Sequence, residues 1–209
     1  MIIERTIRRY ENNSLTTIGS FIFNGCSQLS FINTPNCTAI NENAFCGCTN
    51  LVSISFPNCI RIGFMPFQRC SNLVSVDFPN CTSISNGVFA DLYKLISINF
   101  PKCTIIGNNA FSSCYSLTSV SFPSCNIIES SAFINCRNLS QVYLTGSSLC
   151  NLLHSNAFAS TPFTGYSSSF SGTPYIYVPE SLVTSYQNAT NWTYFSSYIS
   201  AYNDMEGGH

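Results

Sequence analysis

The chain has 209 residues, enough for one domain with a sizeable core. Hydrophobic residues make up 45% and charged residues only 8%, against about 25% in an ordinary soluble domain, so Ser, Thr and Asn must form much of the polar surface. A net charge of -1 with no basic run excludes a phosphate-binding footprint, so no nucleic acid is expected as a partner.

Taken in order, residues 1–17 read as an irregular partial coil serving as N-terminal cap. Met1 to Tyr10 carries Glu4, Arg5, Arg8 and Arg9 and has no apolar h-region, so it is not expected to be a secretory signal. Arg5, Arg8 and Arg9 interleave with Glu4 and Glu11 and read as a solvated terminal face. Nowhere does the chain approach the 18 or so continuous apolar residues of a membrane span, so no membrane insertion is expected.

Residues 18–163 repeat with a period of 22. Ile18, Ile40, Ile62, Ile84, Ile106 and Ile128 form one column, which Leu153 is expected to continue after a three-residue insertion near 146–148. Phe23, Phe45, Phe67, Phe89, Phe111, Phe133 and Phe158 form a second. Leu29 to Leu139 and Ile32 to Val142 form two more, and Pro35 to Pro123 another. Such self-similarity marks a stacked repeat architecture. Within a coil, Ser53 and Ser55 alternate with Ile54 and Phe56, the pattern of a half-buried strand that Pro57 ends. Ile62, Pro66, Phe67 and Cys70 then carry a spacing that suits a short helical or 3-10 turn.

Eleven of the twelve cysteines fall in two columns, with Cys46 outside them. Parallel columns do not suit the disulfide dihedral, so buried reduced thiols are expected. In the second column, Cys37 to Cys150, the thiol is placed to serve loop backbone. No metal site is expected, because Cys46 and Cys48 have no second pair at ligand spacing.

Beyond the repeats, 164–174 reads as a Ser- and Gly-rich loop. Tyr175 to Pro179 imitates the strand and proline of a repeat. Leu182, Val183 and Tyr186 then have helical spacing, so 164–202 is read as loop, last strand and small helical C-terminal cap. Residues 203–209 read as a flexible tail, and the whole chain as one structural domain.

The stretch Leu51, Ile54, Phe56, Cys59 matches the leucine-rich pattern L-x-x-L-x-L-x-x-N/C. The segments IGNNAFSSCYSLTSVSFPSC and INENAFCGCTNLVSISFPNC resemble BspA-type leucine-rich repeats of bacterial surface proteins. The closing run YIYVPESLVTSYQNATNWTYFSSYISAY is similar to the end of gut bacterial members, and IIERTIRRYENNSLTTIG to prophage-associated ones. The resemblance implies a leucine-rich-repeat solenoid coiled right-handedly, with short parallel strands on its concave side. It also implies an extracellular, cell-surface or virion-associated protein that binds or adheres and has no catalytic motif to transfer.

The residues agree on the absence of an enzyme. His154 sits at an exposed turn with no positioned partner, and Glu42 and Glu129 lie singly on different coils. No cofactor motif occurs. The expected ligand-binding surface is the outward strand face: Phe31 and Asn33, Ser53 and Ser55, Ser75 and Asp77, Ser97 and Asn99, Ser119 and Ser121, Gln141 and Tyr143. Small hydroxyls there suit a protein backbone or a glycan, and solvent-compatible strand residues would look the same. A second candidate is the aromatic-rich end with Tyr166, Phe170 and Tyr194. The function expected is a monomeric, non-enzymatic recognition or adhesion module; the alternative is a structural or decorative part of a larger assembly, such as a phage tail or a surface-protein spacer.

Overall fold

The structure, a computed structural model, describes residues 3–166 and 172–202. The tail expected at 203–209, Phe170 and part of the 164–174 loop lie outside the described residues.

The repeats fold into a stack of coils joined by parallel strands. The outward-facing strands are Arg9–Glu11, Phe31–Asn33, Ser53–Ser55, Ser75–Asp77, Ser97–Asn99, Ser119–Ser121, Gln141–Tyr143, Tyr175–Pro179 and Ile199–Tyr202. They pair in three runs, broken between Asn33 and Ser53 and between Asn99 and Ser119. The register is fixed by the period: Ser53 faces Ser75, which faces Ser97. Ile54, Val76, Val120 and Val142 point inward and are buried, while their neighbours point out. That is the alternation a strand with one wet face imposes.

A second ladder, unbroken and seven-stranded, runs through the Ile column. Its strands are two residues each: Thr17–Ile18, Ala39–Ile40, Arg61–Ile62, Ser83–Ile84, Ile105–Ile106, Ile127–Ile128 and Asn151–Leu152. The turn segments add further inter-coil bonds, such as Phe45 N to Pro66 O and Phe111 N to Ala132 O, each 2.8 Å. Each coil therefore satisfies its backbone partly through its neighbours and partly through its own tight turns, such as Cys48 N to Phe45 O at 3.0 Å.

The sequence spacing after Ile62 predicts a helical turn, but the segment is a run of turns. Met65 and Arg69 have φ of 46° and 63°, and the equivalent places in other coils are also left-handed, as at Asn43, Gly47, Asp91, Asn109, Ser113 and Asn135. Two left-handed residues per coil interrupt any helical run. Among the described residues of the repeat region, 3-10 helices close in the last coil alone, at Ser155–Phe158 and Pro162–Thr164.

Rings fill the core. Phe23, Phe45, Phe67, Phe89, Phe111, Phe133 and Phe158 form one continuous stack with centroids 5.1–5.6 Å apart. Phe56, Phe78 and Phe100 stack beside it. One column assignment shifts: Ile128 pairs with Leu152, which is 4% exposed, whereas Leu153 is 55% exposed. One extra residue lies between Leu152 and Phe158, so counting back five from the Phe lands one place too far.

The C-terminal cap forms as strand Tyr175–Pro179, 3-10 turn Glu180–Leu182, helix Val183–Asn188 and 3-10 segment Trp192–Tyr198. An unanticipated last strand, Ile199–Tyr202, pairs parallel with Tyr175–Pro179. Trp192 seals the final coil: its ring lies 6.2 Å from Phe158, and its Nε1 donates to Cys150 O at 2.7 Å. The Tyr186 hydroxyl accepts from Cys150 N at 2.9 Å. Among the described residues no helix is long and apolar enough to cross a membrane.

Candidate binding face

The two outward columns lie side by side along the long ladder. Arg9, Phe31, Ser53, Ser75, Ser97, Ser119, Gln141 and Tyr175 make one column; Glu11, Asn33, Ser55, Asp77, Asn99, Ser121, Tyr143 and Tyr177 make the other. All twelve residues expected from the sequence are at least partly exposed on this face. The middle rungs are hydroxyls and amides, and the single charge among them is Asp77. Its carboxylate accepts from Ser55 Oγ and from Asn99 Nδ2, each at 2.8 Å. Both oxygens are thus engaged from the rungs on either side, which fixes the side chain in place.

Phe31 and Tyr143, the aromatic near each end of the strand face in the sequence, are each part of a larger end cluster. Arg9 sits 3.7 Å over the Phe31 ring and pairs with Glu11. Arg9–Glu11 is thus the first rung of the face, and its charged side chains are solvated, as expected of the terminal face. The signal was the period itself, because Arg9 and Glu11 stand 22 residues before Phe31 and Asn33. At the far end Tyr143 stacks on Tyr177 at 4.7 Å, with Tyr202 edge-on at 5.9 Å and Tyr175 at 5.7 Å from Tyr177. Gln141 is exposed beside this cluster. The strand face therefore runs from a cation–aromatic pair, across a polar shelf, to a tyrosine cluster.

The second aromatic candidate divides. Tyr194 is 71% exposed, while its neighbours Trp192 and Phe195 carry the packing. Tyr166 joins a ladder in which the Arg137 guanidinium lies 5.2 Å from its ring and 4.8 Å from Tyr115, and Tyr115 stacks on Tyr93 at 5.0 Å.

The chemically reactive groups are taken up by structure. All twelve cysteines are free, eleven of them buried. First-column thiols reach back one coil: Cys48, Cys70, Cys114 and Cys136 donate to the carbonyls of Phe23, Phe45, Phe89 and Phe111 at 3.0–3.2 Å. Second-column thiols donate two residues ahead, as Cys59 does to Arg61 O at 3.3 Å and Cys81 to Ser83 O at 3.1 Å. Burial pushes the thiols of Cys59, Cys70 and Cys103 up to about 12, away from the nucleophilic thiolate. His154 is exposed, and its Nδ1 accepts from Asn156 N at 3.2 Å to cap the last turn. Among the described residues no three potential metal ligands gather.

A sequence profile of the BspA type leucine rich repeat region matches in six copies, over residues 9–104 and 38–164. The chain belongs to the BspA-type leucine-rich repeat family. Such repeat proteins are generally non-enzymatic scaffolds, and the family is commonly binding or surface-associated. By sequence, no curated protein matches. Solved structures do. A leucine-rich repeat protein from Eubacterium ventriosum is 22% identical with a TM-score of 0.67, over 79% of this chain and 46% of that one. One from Bacteroides ovatus is 17% identical at a TM-score of 0.56, over 94% and 66%. The T. pallidum leucine-rich repeat protein is 20% identical at 0.58, over 72% and 77%. These likenesses support the solenoid fold. The chain spans less than half of the first of these proteins and 66% of the second.

Proposed function

We propose that this BspA-type solenoid is a recognition or adhesion module that binds a protein or glycan through its outward strand face, at a cell or virion surface. The observation that carries this is the composition of the face: a polar shelf of Ser and Asn, with exposed or half-exposed aromatic groups at both ends. A solenoid with no recognition role needs only solvent-compatible residues there. Tyr143 stacked on Tyr177, with Tyr175 tilted beside it, and an Arg9-backed Phe31 instead supply the large, rigid contact groups typical of binding hot spots. Repeat proteins use such extended surfaces for recognition. The nearly uncharged shelf suits a hydrogen-bonding partner better than an ionic one.

The test is a binding screen of the purified protein against glycan and surface-protein arrays, followed by variants. Gln141→Ala combined with Tyr143→Ala is expected to weaken any ligand found by about tenfold or more, the cost of losing a hot-spot aromatic. An unchanged affinity refutes the strand-face assignment. Co-purification with virion or envelope components, with no array binding, would favour a structural role in a larger assembly.

A further inference from the structure

We infer that a groove on the short-ladder side, away from the strand face, is a binding site for an oligosaccharide carrying a free amino sugar. The groove has a volume of about 400 Å³ and is lined by Phe64, Ser83, Ser85, Asn86, Ile105, Gly107 and Glu129, with Ile84 beneath. That lies at the small end of the roughly 300–1,000 Å³ usual for small-molecule sites.

Two acceptors converge inside it. Asn108 N donates to Asn86 Oδ1 at 3.1 Å and to Glu129 Oε2 at 2.9 Å. One N–H shared between a carbonyl oxygen and a carboxylate leaves lone pairs on both that solvent, or the donors of a ligand, can reach, since Asn86 is exposed and Glu129 half-buried. Among the lining residues there is no cation. An ammonium brings three donors and a positive charge to that point, which matches the Glu129 carboxylate in both charge and hydrogen bonding.

The rest of the groove selects the remainder of the ligand. Ser83 and Ser85 present polar side chains beside the Asn86 amide. Phe64, 46% exposed, and Ile105, 37% exposed, present apolar surface. Sugar hydroxyls and C–H faces use both kinds of wall. Phe64 and Glu129 stand three coils apart, roughly 14 Å at about 4.8 Å per coil. A single hexosamine cannot touch both, whereas a disaccharide can, with its amino group at Glu129 and its second ring at Phe64. Gly107 keeps the floor low between them. A Cβ there would come within 2.8 Å of Ile84 O and Asn86 Oδ1.

The experiment is a titration of the full chain with a β-linked glucosamine dimer at about pH 6, below the pKa of roughly 8 of a free amine, read by NMR shifts or calorimetry. The di-N-acetylated dimer, cellobiose and Nα-acetyl-lysine amide are run in parallel. The glucosamine dimer is expected to bind about tenfold or more tightly than the other two sugars. Glu129→Gln, which keeps an oxygen for Asn108 N–H, is expected to erase that preference. Phe64→Ala, which removes an exposed ring and leaves the core intact, should weaken the dimer severalfold. Asp77→Asn on the strand face should change nothing, so failure here is distinct from failure of the strand-face reading. Equal binding of the three sugars would overturn the proposal. So would a preference surviving in a folded Glu129→Gln, or no saturation of the wild type by about 10 mM dimer, the edge of measurable weak binding. If Glu129→Gln does not fold, undiminished binding by Phe64→Ala overturns it instead. Tighter binding of the lysine amide than of the dimer would assign the groove to a peptide and reject the sugar.

Discussion

Cys59 shows how a residue that looks reactive is spent on structure. Its thiol is buried and donates to Arg61 O, and burial raises its pKa to about 12 from 9.0. Cys70 and Cys103 are raised to about 12 and Cys81 to about 11, again chiefly by burial. The folded state thus holds these protons more tightly than the unfolded chain. Their contribution to stability is complete below about pH 9 and is lost as the pH climbs from there toward 12. Each thiol removes up to about 1.4 kcal/mol per pH unit inside that window, so a few of them suffice to unfold a marginal domain. Melting temperature measured from pH 7 to 11 should be level to about pH 9 and then fall steeply, reversibly in the presence of a reductant. Replacing Cys59 by Ala should make the alkaline fall shallower. A melting temperature that stays level to pH 11 would mean the thiols already reach solvent.

At the scale of the element, the coil is set by how closely its backbone approaches the next coil. Gly107 illustrates this: Gly107 N donates to Ile84 O at 2.8 Å, and an added Cβ would lie 2.8 Å from that same oxygen. Gly107→Ala therefore must push two coils apart in the unbroken short ladder. It is expected to cost about 1–3 kcal/mol, the usual scale of overpacking, in a denaturant melt. A cost near zero would show that the coils can separate locally. This ladder also marks where sequence reading ran out. The strands of the long ladder were legible, because Ser53, Ile54 and Ser55 display a period of two. A two-residue strand such as Arg61–Ile62 displays no period, and its Ile was read as part of a helical turn. The left-handed residues that prevent a helix, among them Met65, Arg69 and Ser113, carry no reliable signal of that conformation in their type. The twelve strand-face positions were readable from alternation alone, whereas the groove was not. Phe64, Asn86 and Glu129 come from three coils, and the groove exists only because short side chains or Gly107 stand between them.

For the whole molecule, the physics is close to one-dimensional. Each coil touches mainly its neighbours, through the long ladder, the short ladder and the phenylalanine stack. Stability is then a sum of coil terms and interface terms, with the ends closed separately. The C-terminal end is closed by Trp192, Tyr186 and Phe195, which are all buried. The sum makes a specific demand on deletions. Removing residues 74–95, one full period of 22, joins Leu73 to Ile96 and leaves every column in register. The coil containing Phe78 and Phe89 disappears, and Phe67 is brought against Phe111. The shortened chain should fold, stay monodisperse and keep its tryptophan emission, because the Trp192 cap is untouched. Removing only residues 74–84 deletes half a period and throws all later columns half a coil out of step. Phenylalanines would then face solvent and strands would meet turns, so that chain should aggregate or remain unfolded. Equal behaviour of the two deletions, measured by circular dichroism and size-exclusion chromatography, would mean that the caps rather than the repeat register hold the solenoid together.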